Sequence, residues 1–500
     1  MQETIGKDIN SRKWISLPIL ADFNNYHRNI KVRGYKYFSN FWLILIIGVF
    51  IALSSRVLFL NPDPWWDAAV YGGMGMFMFS GGDVGLWEPA RPPVLPILLG
   101  ALWWVGLDAQ WWGMLIGILA GAGCIAISFG LGNLIGKKGT GTLAALFLAF
   151  SPTFFLFSQV NQTEIISLFL SLASLWFFAK RRYGISGFLS GVSILTRFFQ
   201  GIFAFGLLVL ACWQVISQRE NKKRIVQFVT ALLIPLLAYF ILNYALYGDA
   251  LYPFFLQYWM IFNTGWVFHQ PISYYFFGIF GENPLFLLIV FPLVGYCKTI
   301  FGRKSKDSSH PLIIFLGILV LVNVVPYLFI AHKEMRFLLS SFPLVAILAA
   351  KGVTEFTQKV PGLGQWPQRG IIAIWVIFAS FSLSWNNFDD RLEFFSPFLE
   401  AVPQGKTAWI SNPAFALETA GRVTQLMYYP LYNTKRAAQL LNSSEAPDFV
   451  FLNTCDVLPC PTQDTGCAPG TSQLISGFRK DFLHSSEVTE GECTYMIFSR

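Results

Sequence analysis

The sequence is short of charge. Only 13% of its 500 residues are Asp, Glu, Lys or Arg, where a soluble domain carries about 25%. Apolar residues make up 54%, with 50 Phe and 17 Trp among them, and the mean hydropathy is +0.51. A soluble chain of this length could not hide that much apolar surface. A soluble enzyme, a disordered chain and a fibrous protein are therefore excluded, and a polytopic membrane protein remains. Histidine is scarce, at 5 residues, and cysteine, at 7, forms no Cys-x-x-Cys pair. No internal repeat and no low-complexity linker is visible. Nor does the amino terminus read as a cleavable signal. The first 40 residues carry Lys7, Arg12, Lys13, Arg28, Lys31, Arg33 and Lys36, too long and too mixed for a signal-peptide n-region. They read as a cytoplasmic tail, with Phe41 to Leu60 as an uncleaved first span.

The net charge is +8 and the pI about 9.0, but the bases do not form the single basic face of a nucleic-acid binder. They recur between apolar runs, at Lys137-Lys138, Lys180 to Arg182, Lys222 to Arg224 and Arg303 to Lys306, which is the positive-inside signature. With the amino terminus inside, residues 41–60 exit and 61–111 form the first outer loop. Segments 112–135, 140–158, 163–179, 184–197, 198–217, 225–247, 284–298, 311–330, 338–350 and 370–386 then alternate. That is about eleven crossings at roughly 20 apolar residues each. Most of the 36 bases fall inside, and only Arg91, Arg197, Lys333 and Arg336 fall in outer loops. Pro92 to Leu107 breaks parity if it spans. It opens with Arg-Pro-Pro and contains Pro96 and Gly100, so we read it as an interfacial helix or shallow hairpin.

Three domains follow: a tail over 1–40, a membrane domain over 41–386, and an extracytoplasmic segment over 387–500. In the last, charges return and the apolar runs shrink to strand length, at Thr407 to Ile410, Asp448 to Leu452 and Thr494 to Phe498. Helix-like stretches lie between, at Lys435 to Leu441 and Ser472 to Leu483, so a small α/β domain is expected. Cys455, Cys460, Cys467 and Cys493 all lie there. Outside the membrane they suggest two disulfides, with three pairings open; a zinc site is the rival reading.

The outer loops hold acids out of proportion: Asp63, Asp67, Asp83, Glu88, Asp108, Glu164, Asp249, Glu282 and Glu334. Positive-inside bias explains the missing bases but not the clustering of acids within 63–88. In Asn61-Pro-Asp-Pro-Trp-Trp-Asp67-Ala-Ala-Val-Tyr71, a helix from Trp65 would put Asp67 and Tyr71 on one face. Asp67 or Asp63 could then take a proton from a hydroxyl nucleophile, or simply cap the helix. Arg91, before two prolines, could hold a phosphate or only pair with Glu88. Glu164 sits at a span's amino terminus, where the dipole alone would favour it, and Arg197 could merely snorkel. The string His332-Lys333-Glu334-Met335-Arg336-Phe337 gathers bases where the topology disfavours them, and two cations beside a membrane suit a phosphate.

Together these strings resemble the GT-C superfamily of polyprenyl-phosphate-sugar-dependent glycosyltransferases over about residues 40–386. The first loop, Trp66-Asp67-Ala-Ala-Val-Tyr with Arg91-Pro-Pro, is similar to the protein mannosyltransferase and aminoarabinose transferase branch. His332-Lys-Glu-Met-Arg-Phe337 is similar to the motif of the Alg-type and GPI-type mannosyltransferases. Ala68 departs from the pattern, standing where Glu usually follows the catalytic Asp. The resemblance implies a GT-C α-helical polytopic membrane fold and an inverting transfer on the outer face. The sugar, a hexose such as mannose, would move from a polyprenyl or dolichyl phosphate to a hydroxyl on a lipid-linked glycan or protein. Asp67 would be the base, with Asp63 the second candidate and Glu164 the second acid. Arg91, Lys333 and Arg336, beside His332, would hold the lipid phosphate. Glu88, Glu334 and Arg197 would border the site. No metal or other cofactor and no nucleic-acid partner is expected. The location would be a multi-pass position in the plasma membrane, or in the endoplasmic reticulum membrane of a eukaryote.

A transporter or flippase is the rival class, in which Arg56, Asp67 and Glu164 would line a substrate path. Against it, almost no ionisable residue other than Arg56 lies within a span. The topology predicts that a membrane-impermeant thiol reagent will label single cysteines placed in 387–500 from outside and spare those placed in the 303–306 loop. Labelling of that loop from outside would refute the assignment.

Overall fold

A computed structural model describes residues 33–136, 139–218, 222–264, 269–290, 310–358, 403–419, 421–427, 434–457 and 466–500, with single positions 292, 370, 373, 375 and 383. Residues 1–32, the basic loop 303–306, most of 370–386 and Cys460 lie outside the described residues.

The membrane part is helical. Its described helices are α1 (Arg33–Ser54), α2 (Arg56–Leu60), α3 (Trp66–Phe79), α4 (Val94–Trp104), α5 (Ala109–Ile135), α6 (Thr140–Ala149), α7 (Pro152–Phe157), α8 (Thr163–Ala179), α9 (Tyr183–Thr196), α10 (Gln200–Gln218), α11 (Lys223–Tyr247), α12 (Tyr252–Thr264), α13 (Ser273–Glu282), α14 (His310–Phe329) and α15 (Phe342–Gln358). Four stretches are helical, long and apolar enough to cross a bilayer: Asn40–Leu60, Ala109–Ile135, Lys223–Tyr247 and Met335–Thr357. Helix α4 has 11 residues, with Ile97 and Trp104 44% and 69% exposed. It is shorter than a bilayer crossing needs, and it packs on α3.

Hydrophobicity does not drive helices together in lipid; close backbone approach and polar side chains do. Helix α9 lies on α11 through Gly187 and Gly191, where an added Cβ would run into the carbonyls of Phe228 and Leu232. Serines join α8 to α9: Ser174 meets Ser186 at 3.0 Å and Ser190 at 2.7 Å, and Ser171 meets Ser193 at 2.8 Å. Gln200 donates to Ser167 at 3.1 Å and to Ser340 at 3.0 Å. It thereby ties α8 to the 3-10 turn Met335–Ser341.

The structure departs from the expected spans in several places. The first span, expected over 41–60, falls at Asn40–Leu60, within helix that begins earlier, at Arg33. Segment 140–158 is two helices, because Pro152 has no N–H and cannot continue α6. The Thr153 N–H freed by the break is taken by the Glu282 carboxylate at 3.0 Å, and the Thr153 hydroxyl donates to its other oxygen. Burial pushes Glu282 up to about 7, against those hydrogen bonds. The described part of 284–298 opens with a 3-10 turn, Pro284–Ile289, and the segment expected at 338 starts at Met335.

The carboxy-terminal part is an α/β domain with β2 (Thr407–Ile410), α16 (Phe415–Glu418), β3 (Arg422–Leu426), α17 (Thr434–Leu441), β4 (Phe449–Asn453), α18 (Thr454–Val457), α19 (Cys467–Asp481), β5 (His484–Glu490) and β6 (Cys493–Ser499). Strands β3 and β5 were not foreseen, and neither was β1, Gly85–Leu86, which belongs to the first outer loop. The sheet order is β1-β3-β2-β4-β6-β5. Pairing is parallel from β1 to β4 and antiparallel from β4 to β5. One apolar cluster joins the sheet to α17 and α19 through Trp409, Met427, Leu441, Leu474 and Phe478. Another joins it to α3 through Val70, Met74, Phe415 and Phe451. The boundary drawn at 387 therefore does not separate two bodies: the first loop, assigned above to the membrane domain, shares the tail's sheet and core.

Cys455 and Cys493 are joined with their Cα atoms 5.3 Å apart, and Cys467 is also disulfide-bonded. Cys124 and Cys212 are free thiols. The Cys455–Cys493 bridge fastens α18 to β6, and its removal is expected to destabilise the tail by roughly 2–5 kcal/mol. Non-reducing peptide mapping should recover the Cys455–Cys493 linked peptide; four free thiols in the tail would contradict the structure.

Candidate active site

Helix α3 starts at Trp66 behind an extended Trp65, with no side-chain cap. Asp67, in its first turn, is thus spared the capping role that its position offered. Its carboxylate is held from both sides instead. Arg91 Nη1 lies 2.9 Å from Oδ1, and Arg336 Nη1 donates to Oδ2 at 2.6 Å. Burial alone would raise the pKa of this group. The two guanidiniums outweigh burial and hold the carboxyl well below the usual carboxylate range.

Each arginine is itself oriented. Arg91 Nε donates to Glu88 at 3.2 Å, and its guanidinium stands 5.6 Å from the centre of the Tyr71 ring. Arg91 thus pairs with Glu88, as one alternative had it, and with the Asp67 carboxylate besides. Burial and the neighbouring Asp67 charge raise the Glu88 carboxyl, with Arg91 opposing them. Burial likewise raises the Tyr71 phenol, so at neutral pH it is a hydroxyl on the same helix face as Asp67.

Arg336 lies in the 3-10 turn after the His-Lys-Glu string. Its Nη2 donates to Glu334 at 2.8 Å, and its Nη1 also reaches Gln162 at 3.4 Å. Glu334 in turn holds His332 Nε2 at 2.5 Å. Burial would raise Glu334, but His332 and Arg336 lower it below its ordinary value. A backbone bridge pairs His332 with His269.

Glu164, in the first turn of α8, forms an ion pair with Arg197 and lies 3.9 Å from Arg336 Nη1. Arg197 therefore does not snorkel. It is turned inward, and with Arg336 it flanks the ring of Phe337, at 6.0 and 5.6 Å. Tyr327 stacks on the same ring at 5.6 Å.

The structure thus brings Asp67, Glu88, Arg91, Glu164, Arg197, Glu334 and Arg336 into one ionic cluster, with His332 on its edge. Two predicted residues have other described surroundings. Lys333 is 5% exposed and donates its Nζ to the Ile330 carbonyl at 2.5 Å. Asp63 lines a depression with Trp65, Gln110 and Asn161. Two contributors went unassigned in the sequence. Gln162, two residues before Glu164, carries only the signal of a polar Asn-Gln-Thr-Glu run. Phe337, the last residue of the motif, is the shelf for two guanidiniums. Among the described residues no three His, Cys, Asp or Glu side chains converge as a metal site.

The architecture matches solved structures. ArnT from Cupriavidus metallidurans, solved bound to undecaprenyl phosphate, superposes with a TM-score of 0.59 at 13% identity, covering 91% of this chain and 98% of that one. The oligosaccharyltransferase AglB from Archaeoglobus fulgidus, solved with an inhibitory peptide and a dolichol-phosphate, superposes with a TM-score of 0.55 at 11% identity, covering 83% of this chain and 70% of that one. At such identities the likeness is one of fold, and the fold is of the GT-C type. A search of curated protein sequences returns no match. The sequence profile of the Alg9-like mannosyltransferase family matches residues 39–388. The chain belongs to that family and is a membrane glycosyltransferase.

Proposed function

We propose that the enzyme moves a mannosyl residue from a polyprenyl or dolichyl phosphate to a hydroxyl on a lipid-linked glycan or protein, at the extracytoplasmic face of a multi-pass membrane domain. The observation that carries this reading is the clamp on Asp67: one guanidinium on each carboxylate oxygen. Two arginines converging on one anion form a site that a phosphate oxyanion can share or take over, since guanidinium forks suit phosphate and carboxylate alike. The phosphates named with ArnT and AglB support the same donor class.

The chemistry follows from competition. When the donor phosphate draws Arg91 and Arg336, the charges that depress Asp67 are partly withdrawn from it. Its carboxylate then becomes a better proton acceptor. The acceptor oxygen attacks the anomeric carbon from the face opposite the phosphate and the new glycosidic bond forms. The bond between that carbon and the phosphate oxygen breaks with its electron pair, and the acceptor proton passes to Asp67. The configuration inverts. The polyprenyl phosphate leaves with an added negative charge, which Arg91 and Arg336 stabilise where it develops. Glu164, paired with Arg197, fixes the far side of Arg336. The leaving group is a monophosphate and the fixed cations around it are guanidiniums, so the reading calls for no metal.

With radiolabelled polyprenyl-phosphate mannose as donor and native membrane extract as acceptor, Asp67→Asn should lower turnover by about 10²–10⁴-fold, the scale of general-base catalysis. Donor affinity should be equal or tighter, because a competitor for the arginines is gone. Arg336→Ala should lose both turnover and affinity. An Asp67→Asn enzyme with full turnover would move the base to Asp63, and full activity in Asp63→Asn as well would end this mechanism.

A further inference from the structure

We propose that the carboxy-terminal domain positions the catalytic helix, and that Leu417 is its positioning residue: the domain holds α3, and with it Asp67, in place against Arg91 and Arg336. This rests on the reading of Asp67 as the base. The contact is made by backbone pairing and by buried apolar side chains. Gly85 and Leu86 pair with Arg422 and Val423, and the Gly85 N–H donates to the Gly421 carbonyl at 3.2 Å. Two residues on comes Glu88, and three further Arg91, so the strand that joins the tail also sets where the first phosphate-binding arginine leaves it. Gly85 has φ +84° and lies so close to the Gly73 carbonyl that a Cβ would overlap it. Strand β1 is thereby pressed on α3 where no side chain could intervene.

A second contact, beside the first, is made by α16. A Cβ on Gly72 would come within 2.9 Å of the Leu417 side chain, and one on Gly73 within 3.5 Å of Ala416 Cβ. Val70 and Met74, one and two turns along from Asp67, are fully buried with Ala408, Ile410, Phe415 and Phe451. Arg422 closes the end of the contact over the Phe77 ring at 5.4 Å. Helix α3 thus has the ionic cluster at its amino terminus and the tail's core along its length. A tilt of this helix moves Asp67 relative to Arg336, which is fixed separately through Gln162, Glu334 and Phe337. Misplacement of a catalytic group by about 1 Å is enough to cost roughly 10²-fold.

The test is a pair of compensating volume changes in the full chain, reconstituted in lipid and assayed with polyprenyl-phosphate mannose and native membrane extract. Leu417→Ala should lower kcat by about tenfold or more while leaving donor KM within about twofold. Gly72→Val should do the same by crowding. The double variant Gly72→Val with Leu417→Ala should recover most of the loss. Leu474→Ala, on the other face of the sheet among Trp409 and Phe478, is the control: it should lower the tail's melting temperature and leave kcat unchanged. If Leu417→Ala does not accumulate, Val423→Ala at the β1 pairing takes its place. Equal kcat losses in Leu417→Ala and Leu474→Ala, or no recovery in the double variant, would overturn the proposal. A wild type that transfers no mannose from this donor would instead count against the functional reading.

Discussion

The ionic cluster of this protein depends on one largely buried carboxylate. Asp67 is 19% exposed at its side chain, and a carboxylate that far from water is costly unless it is paired and hydrogen-bonded. The chain meets the cost with two arginines from distant segments: Arg91 from the first loop, and Arg336, which lies 269 residues away from Asp67 in the chain. Removing one partner of such a pair leaves an uncompensated buried charge. The loops are thereby locked together: Glu88 and Glu334 balance the two guanidiniums, and Glu164 is shared between Arg197 and the far side of Arg336. The arginines are already engaged by carboxylates, so on the reading proposed above an incoming phosphate would have to compete with Asp67 for them rather than fill a vacant positive pocket.

Two supports hold this cluster, and they come from opposite directions. From the membrane side, Gln200 ties α8 to Ser340 and so steadies the turn that carries Arg336. From the other, the tail domain takes a strand from the first loop and buries one face of α3. Asp67 thus rides on a helix that the tail holds, and its second arginine on the turn that α8 steadies. The ion pair joins the two.

Much of this was legible in the sequence. Scarce charge and basic clusters between apolar runs announced a polytopic membrane protein. The outer acids and the His332–Phe337 string named most of the cluster, because bases at outer positions run against the topological bias. What the string could not show was direction. Lys333 and Arg336 look equivalent in one dimension, yet the 3-10 turn sends Arg336 to Asp67 and leaves Lys333 on the Ile330 carbonyl. Arg197 looked like a snorkelling base because its partner Glu164 lies on another span. Strand β1 was invisible because two residues carry no alternation, and its pairing is decided by a partner more than three hundred residues later. The break within 140–158 was signalled by Ser151-Pro152, but an apolar run long enough to span outweighed it.

The central claim is that the donor phosphate frees Asp67 by taking a share of its arginines. The pH dependence of the two steady-state parameters tests it directly, since kcat/KM reports groups in the free enzyme and kcat those in the bound complex. In the free enzyme Arg91 and Arg336 hold Asp67 well below the usual carboxylate range, so its protonation should not limit kcat/KM until strongly acid pH. In the complex Asp67 should return toward its ordinary value, and the acid limb of kcat should lie at higher pH than that of kcat/KM. Coincident acid limbs, or a kcat limb that persists unchanged in Asp67→Asn, would contradict the account.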